Sequence, residues 1–124
     1  MLLQDVAATV NPYRIADVFR EVSGYLKSGD VDKLATHFAS TVELRILATE
    51  KTCSGKQSST IVKEFFLQHK PVDYVTLHVG SKASKHYSIG MLTTANGRFR
   101  VIVFLLIDER DSYTIQQLCI DHED

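Results

Sequence analysis

The stretch NGRFRVIVFLLIDER, residues 96–110, decides the fold of this chain, because it holds seven consecutive apolar side chains, Val101 to Ile107. Successive side chains of a β-strand point to opposite faces of the sheet, so a strand with one wet face alternates apolar and polar residues. In this stretch neither face is polar. It therefore predicts a central strand that is covered on both sides, and the rest of the chain has to supply the two covers.

The residues around this strand predict an antiparallel sheet. Asn96-Gly97 is typical of a two-residue hairpin turn, because such a turn needs positive φ angles. Alternation with a period of two predicts strands at 41–47 and at about 73–81, 86–95, 98–109 and 112–122.

The first half of the chain predicts three helices. An apolar stripe with three- and four-residue steps follows Asn11-Pro12, which is typical of a helix start. Asp30 is a good cap for a short second helix, whose apolar stripe extends to Phe38. A capping box at 54–57 begins the third helix, and Pro71 stops it. Helices followed by a meander of strands indicate the α+β class.

Length and composition predict one ordinary globular domain over residues 1–124, with residues 1–10 as a loose N-terminal arm. The chain is 44% hydrophobic and 23% charged, and its net charge is −1. Near-neutral charge argues against nucleic acid as a partner. No apolar run approaches the roughly 20 residues that a membrane-inserted helix needs. As given, the sequence predicts a cytoplasmic protein, or a periplasmic one if an export signal has been removed.

The expected hairpin registers divide the strand residues between two faces. A loop at Asn96-Gly97 sets Leu92 opposite Val101, and the next hairpin sets Val103 opposite Leu118. One face is then aliphatic and suits packing against the helices. The inward residues predicted for the first strand of the meander are Val75, Leu77 and Val79. The residues predicted to line the core or a pocket are Val18, Phe19, Val22, Leu34, Phe38, Phe65, Phe66, Leu92, Phe99, Val101, Val103 and Leu118.

The second face has the composition of a subunit interface, because it mixes aromatic, Met, His and Gln side chains around an aliphatic centre. Three short helices cover only one face of such a sheet, so a second copy of the chain is expected to cover the other. The predicted interface residues are Tyr74, His78, Tyr87, Ile89, Met91, Ile102, Phe104, Leu106, Ile115, Gln117 and Cys119.

The order of these parts resembles the nuclear transport factor 2-like (cystatin-like) α+β cone, in which three N-terminal helices pack on a curved antiparallel sheet of about five strands. Four segments resemble a bacterial family of domains of unknown function with that fold, met mainly in Bacteroidetes: SGDVDKLATHF (28–38), SGKQSSTIVKEFF (54–66), YSIGMLTTANGRFRV (87–101) and YTIQQLCI (113–120). The resemblance covers about residues 15–122. It implies a curved sheet, a pocket inside the cone, frequent dimers and an export signal, but no reaction.

Candidate catalytic groups are few. No catalytic residue is assigned, and His37, oriented by Glu43, and Tyr25 are only weak candidates. The five histidines are scattered along the chain, so neither a metal site nor a cofactor is expected. Cys53 and Cys119 do not make a disulfide framework, and neutral thiols are favoured over a single bridge.

Three functions stay open at this point. The first is a non-enzymatic domain that dimerises through its sheet and holds a small apolar ligand or a protein segment. The second is an enzyme of the isomerase, cyclase or dehydratase type that acts on a small hydrophobic substrate in the cone, with His37 or Tyr25 as its polar group. The third is an exported structural module of the envelope.

Overall fold

A computed structural model describes residues 12–123 of the protein, with side chains from residue 15 onward. The predicted N-terminal arm, residues 1–10, and Asn11 lie outside the described residues. In chain order the elements are α1 (Pro12–Ser28), α2 (Val31–Ala35), β1 (Phe38–Ile46), β2 (Thr49–Ser54), α3 (Gly55–Gln68), β3 (Pro71–Lys82), β4 (Lys85–Thr94), β5 (Gly97–Ile107) and β6 (Tyr113–His122).

The six strands form one sheet in the order β2-β1-β6-β5-β4-β3. All neighbours are antiparallel except β1 and β6, which are parallel. The prediction of about five strands missed β2, because TEKTCS is an edge strand whose only buried residue is Cys53. A strand that buries one side chain has no visible alternation, so its sequence looks like a loop.

The predicted helix caps are confirmed at two positions. The Asp30 side chain accepts a hydrogen bond from the Lys33 amide at 3.2 Å, and Ser54 accepts one from the Gln57 amide at 3.1 Å. Phe38, however, was wrongly placed in the stripe of the second helix. The helix α2 ends at Ala35, and Phe38 begins β1, where it pairs with β6.

The helices cover one face of the sheet, and the core lies between them. On β5 the inward side chains Phe99, Val101, Val103 and Leu105 are at most 2% exposed. Of the predicted core residues, Val18 and Phe38 are half-buried, and the buried ones are Phe19, Val22, Leu34, Phe65, Phe66, Leu92, Phe99, Val101, Val103 and Leu118. Buried side chains therefore fill the space between the curved sheet and the helices.

The β4–β5 turn lies one residue earlier than predicted, because Thr94 is opposite Gly97 and the two loop residues are Ala95 and Asn96. The Asn96 side chain donates a hydrogen bond to the carbonyl of Gln68 at 3.1 Å, which ties the turn to the end of α3. Leu92 is opposite Phe99 rather than Val101. A register change of two residues keeps each side chain on its predicted face.

A bulge in β3 overturns several predicted orientations. The register with β4 shifts between Thr76 and His78, so that Leu77 is the extra residue. Before the bulge, Tyr74 therefore points into the core, where it is 7% exposed, and the prediction that it lies on the outer side is wrong. The prediction that Val75, Leu77 and Val79 are core residues is also wrong, because these side chains are 50–59% exposed.

A second bulge changes β6. Val103 is opposite Leu118, as predicted, but the register shifts between Phe104 and Leu105, and Gln116 becomes the extra residue. Beyond it Ile115 is opposite Leu105 and is completely buried in the core. The prediction that Ile115 belongs to an interface is therefore wrong, because a one-residue bulge moves the following side chains to the other face.

The packing of Tyr74 makes glycine necessary at position 90. A Cβ atom at Gly90 would clash with the ring and hydroxyl of Tyr74, which lie over the backbone there. We expect Gly90→Ala to lower the free energy of unfolding by about 1–3 kcal/mol through overpacking. Gly24 in α1 has open space around it, so Gly24→Ala is a matched control that should stabilise by about 0.5–1 kcal/mol. Denaturant unfolding of both variants measures this, and equal effects would contradict the described packing.

Candidate interaction face of the sheet

The face of the sheet that points away from the helices, here called the outer face, carries an exposed apolar surface. We call this surface the apolar patch; it consists of Tyr87, Ile89, Met91, Ile102, Phe104 and Leu106, all half-buried. The β4–β5 register places these residues side by side, because Tyr87 is opposite Phe104 and Ile89 is opposite Ile102. The seven-residue apolar run predicts that the outward side chains of β5 are covered. In the structure these side chains are still partly exposed.

The other predicted interface residues border the apolar patch. His78 is exposed on β3, and its Nε2 lies 3.5 Å from the Tyr87 hydroxyl. Gln117 on β6 is half-buried opposite Phe104. Cys119 lies opposite Ile102 but is already buried, and this burial raises the pKa of its thiol against the opposing effect of Arg45. Both Cys119 and Cys53 are free thiols.

Charged residues flank the apolar patch on the side of β1 and β2. A groove of about 440 Å³ lies there, and its walls include Glu43, Arg45, Glu50 and Gln117. Arg45 is opposite Glu50 in the β1–β2 register, so both side chains belong to the outer face. Within residues 12–123 neither Glu43 nor Glu50 makes an ion pair.

The structure brings the two weak catalytic candidates together, but not with the predicted partner. The rings of Tyr25 and His37 stack with their centroids 5.9 Å apart, and His37 Nε2 lies 3.1 Å from Glu21 Oε1. Glu43, the expected orienting residue, lies on the outer face instead. The backbone carbonyl of His37 accepts a hydrogen bond from the Ile115 amide of β6 at 2.7 Å. Through its side chain and its backbone, His37 therefore links α1 to β6 just before β1 begins.

Sequence reasoning missed one polar group inside the core. Among the described residues the Tyr74 hydroxyl is buried without a hydrogen-bond partner. Burial raises the pKa of Tyr74 to about 12, and the neighbouring Ser88 hydroxyl acts in the opposite direction. Only the bulge at Leu77 turns Tyr74 inward, and the alternation of the sequence shows no sign of a bulge.

Two features are absent from the part of the chain that the structure describes, namely a cluster of metal ligands and a membrane-spanning helix. Between residues 12 and 123, no three His, Cys, Asp or Glu side chains come together as metal ligands would. In the same range, none of the helices has both the length and the apolar character that crossing a membrane requires.

The sequence profile of the family described as "Domain of unknown function (DUF4783)" matches residues 19–121. The chain belongs to the DUF4783 family. This confirms the predicted resemblance to a Bacteroidetes family of domains of unknown function. No curated protein matches the chain.

Solved structures of DUF4783 proteins resemble most of this chain. A DUF4783 family protein from Bacteroides uniformis is 30% identical, with a TM-score of 0.80 over 85% of this chain and 96% of that one. A second, from Bacteroides ovatus, is 27% identical, with a TM-score of 0.79 over 84% of this chain and 94% of that one.

A more distant structure identifies the wider fold. An NTF2-like protein of unknown function from Cytophaga hutchinsonii is 8% identical, with a TM-score of 0.62 over 85% of this chain and 86% of that one. At such low identity the likeness concerns the fold alone. The predicted nuclear transport factor 2-like α+β fold is confirmed.

The buried Tyr74 hydroxyl predicts a loss of stability in strong alkali. An unfolded tyrosine releases its proton near pH 10 and the folded one near 12, so the free energy of unfolding should fall by about 1.4 kcal/mol per pH unit in between. Tyr74→Phe should remove this slope. It should cost little stability at pH 7, because the Tyr74 hydroxyl makes no hydrogen bond of normal geometry, although the Ser88 hydroxyl lies near it.

Urea unfolding between pH 9 and 12.5 tests this prediction, with Tyr87→Phe on the outer face as the matched control that keeps the Tyr74-dependent slope. The prediction fails if Tyr74→Phe keeps the wild-type slope, or if it costs more than about 1 kcal/mol at pH 7.

Proposed function

We propose that this DUF4783 protein is a non-enzymatic domain that forms a homodimer by packing the outer faces of two sheets together. The observation that carries the proposal is the apolar patch around Phe104, which is contiguous and still half-exposed. A patch of this kind marks an interaction site on a soluble protein. A second copy is the simplest partner, because a two-fold axis uses the same patch twice and needs no other chain.

The size of the outer face supports the proposal. Six strands about 4.8 Å apart, with about eight residues of 3.3 Å each, present roughly 750 Å². Stable interfaces bury about 800 Å² on each partner, so the face is close to what a dimer needs. Val75 enlarges the apolar patch, because the β3 bulge leaves it exposed and opposite Met91.

The residues inside the cone support the non-enzymatic part of the proposal. The buried polar groups among the described residues are the hydroxyls of Ser58, Ser88, Thr94 and Tyr74 and the thiols of Cys53 and Cys119. None of them is a carboxylate or an imidazole, the groups that most often serve in general acid–base catalysis, and burial raises the pKa of Tyr74 to about 12. The candidate His37 stacks on Tyr25 and pairs with the exposed carboxylate of Glu21 on the surface of α1, outside the core.

Phe104→Asp should convert the dimer into a monomer with native circular dichroism, because it places one unpaired charge per subunit inside the proposed interface. Leu67→Asp is the matched control, since Leu67 is 85% exposed on α3 and far from the outer face in the fold. Sedimentation velocity of both variants and of the wild type gives the result. A wild-type protein that sediments as a monomer at tens of micromolar would overturn the proposal.

A further inference from the structure

Most of the large apolar side chains that the described residues leave exposed belong to a single strand, β3. Six such side chains are exposed, and the four on β3 are Val72, Val75, Leu77 and Val79, each 50–59% exposed. The remaining two lie apart, on α3 and at the end of β5. A strand paired on both sides would share such side chains with two neighbours, so this concentration indicates that β3 lacks one neighbour.

The strand β3 is an edge of the sheet, because β4 is its only partner. It runs for 12 residues, and an edge strand presents a row of backbone N–H and C=O groups to which another strand can bind. The other edge, β2, has only six residues and carries Glu50 and Lys51. Short length and charge are the usual protection of a sheet edge, so β2 is better protected than β3.

A second copy of β3 is complementary to this edge when the two strands run antiparallel. The two-fold axis is then perpendicular to the sheet, and it keeps every side chain on its own face. The bulge at Leu77 changes which residues point outward: Asp73 and Val75 do so before it, and Gly80 and Lys82 do so after it. Residues before the bulge in one copy must therefore lie opposite residues after the bulge in the other. The two bulges coincide when Asp73 is opposite Lys82.

This register also brings opposite charges together at both ends of the contact. Asp73 of each copy faces Lys82 of the other, and opposite charges directly across two strands attract. Within its own chain Asp73 has a long ion pair with Lys27, at 3.7 Å, in which both side chains are about half-exposed. Lys82 has no carboxylate partner in the range 12–123. A register shifted by two residues would place Asp73 opposite Gly80 and would lose both charge pairs.

We infer that β3 is a second interaction surface of this protein, to which the β3 strand of another copy adds in antiparallel orientation, with Asp73 opposite Lys82. The contact joins two six-stranded sheets edge to edge and leaves the outer face of each sheet free. It is independent of the proposed face-to-face contact. Because it is only one strand wide, it is smaller than a standard interface, and we expect a Kd on the order of 10⁻⁴ M.

The Phe104→Asp variant isolates the edge contact, because it removes the proposed contact between the outer faces. Sedimentation equilibrium of this variant up to about 500 μM protein should show a dimer of the expected Kd. In this background Asp73→Lys and Lys82→Asp should each weaken the dimer about tenfold, because each turns two attractions into repulsions. The variant with both reversals restores the charge pairs and should return the Kd to within about threefold of the Phe104→Asp value. Glu64→Lys, an equal change of charge on the exposed surface of α3, is the control and should leave the Kd unchanged.

Failure of this inference is distinguishable from failure of the proposed function, since association of the wild type at tens of micromolar reports on the outer face alone. A Phe104→Asp protein that stays monomeric at the highest concentration overturns the edge contact. A dimer whose Kd is unaffected by both single reversals also overturns it, as does a loss that the double reversal does not rescue. Far-UV circular dichroism of every variant shows that the fold is kept.

Discussion

The structure depends on one constraint, which is that β5 needs an apolar environment on both of its faces. Its position in the interior of the sheet satisfies the backbone, and Phe99, Val101 and Val103 belong to the buried core, where Phe65 of α3 packs against Phe99. On the other side the alternate residues Ile102, Phe104 and Leu106 are only half-buried. Burial of the first set provides the folding free energy. The second set leaves an apolar surface that a folded monomer does not use.

Much of the fold could be predicted from the residues, because strong local signals agreed with the overall arrangement. The caps at Asp30 and Ser54 are side-chain oxygens at the positions where helices begin. The error at the β4–β5 turn was harmless, because a shift of two residues preserves the alternation of the strand. The tertiary contact from Asn96 to the end of α3 selects the observed turn, and a local turn preference cannot reveal such a contact.

The β-bulges could not be predicted, and they account for the errors on the candidate interaction face. One extra residue at Leu77 brings Tyr74 inside, and one at Gln116 brings Ile115 inside. At both places the sequence continues to alternate, so the change of face comes from the register between two strands rather than from either strand alone. The residues of the apolar patch lie on β4 and β5, which pair with each other without a bulge, so their predicted orientation agrees with the structure.

The parallel pairing of β1 with β6 has a consequence for the order in which the chain folds. The strands β3 to β6 form a meander of neighbours that can assemble from local hairpins. The edge formed by β1 and β2 must instead wait for β6, the strand of this sheet that is synthesised last, because Leu44 pairs with Leu118. Closing so long a loop is slow. During synthesis the apolar residues of β1 therefore stay exposed the longest, and this stage is the most vulnerable to aggregation or to capture by chaperones.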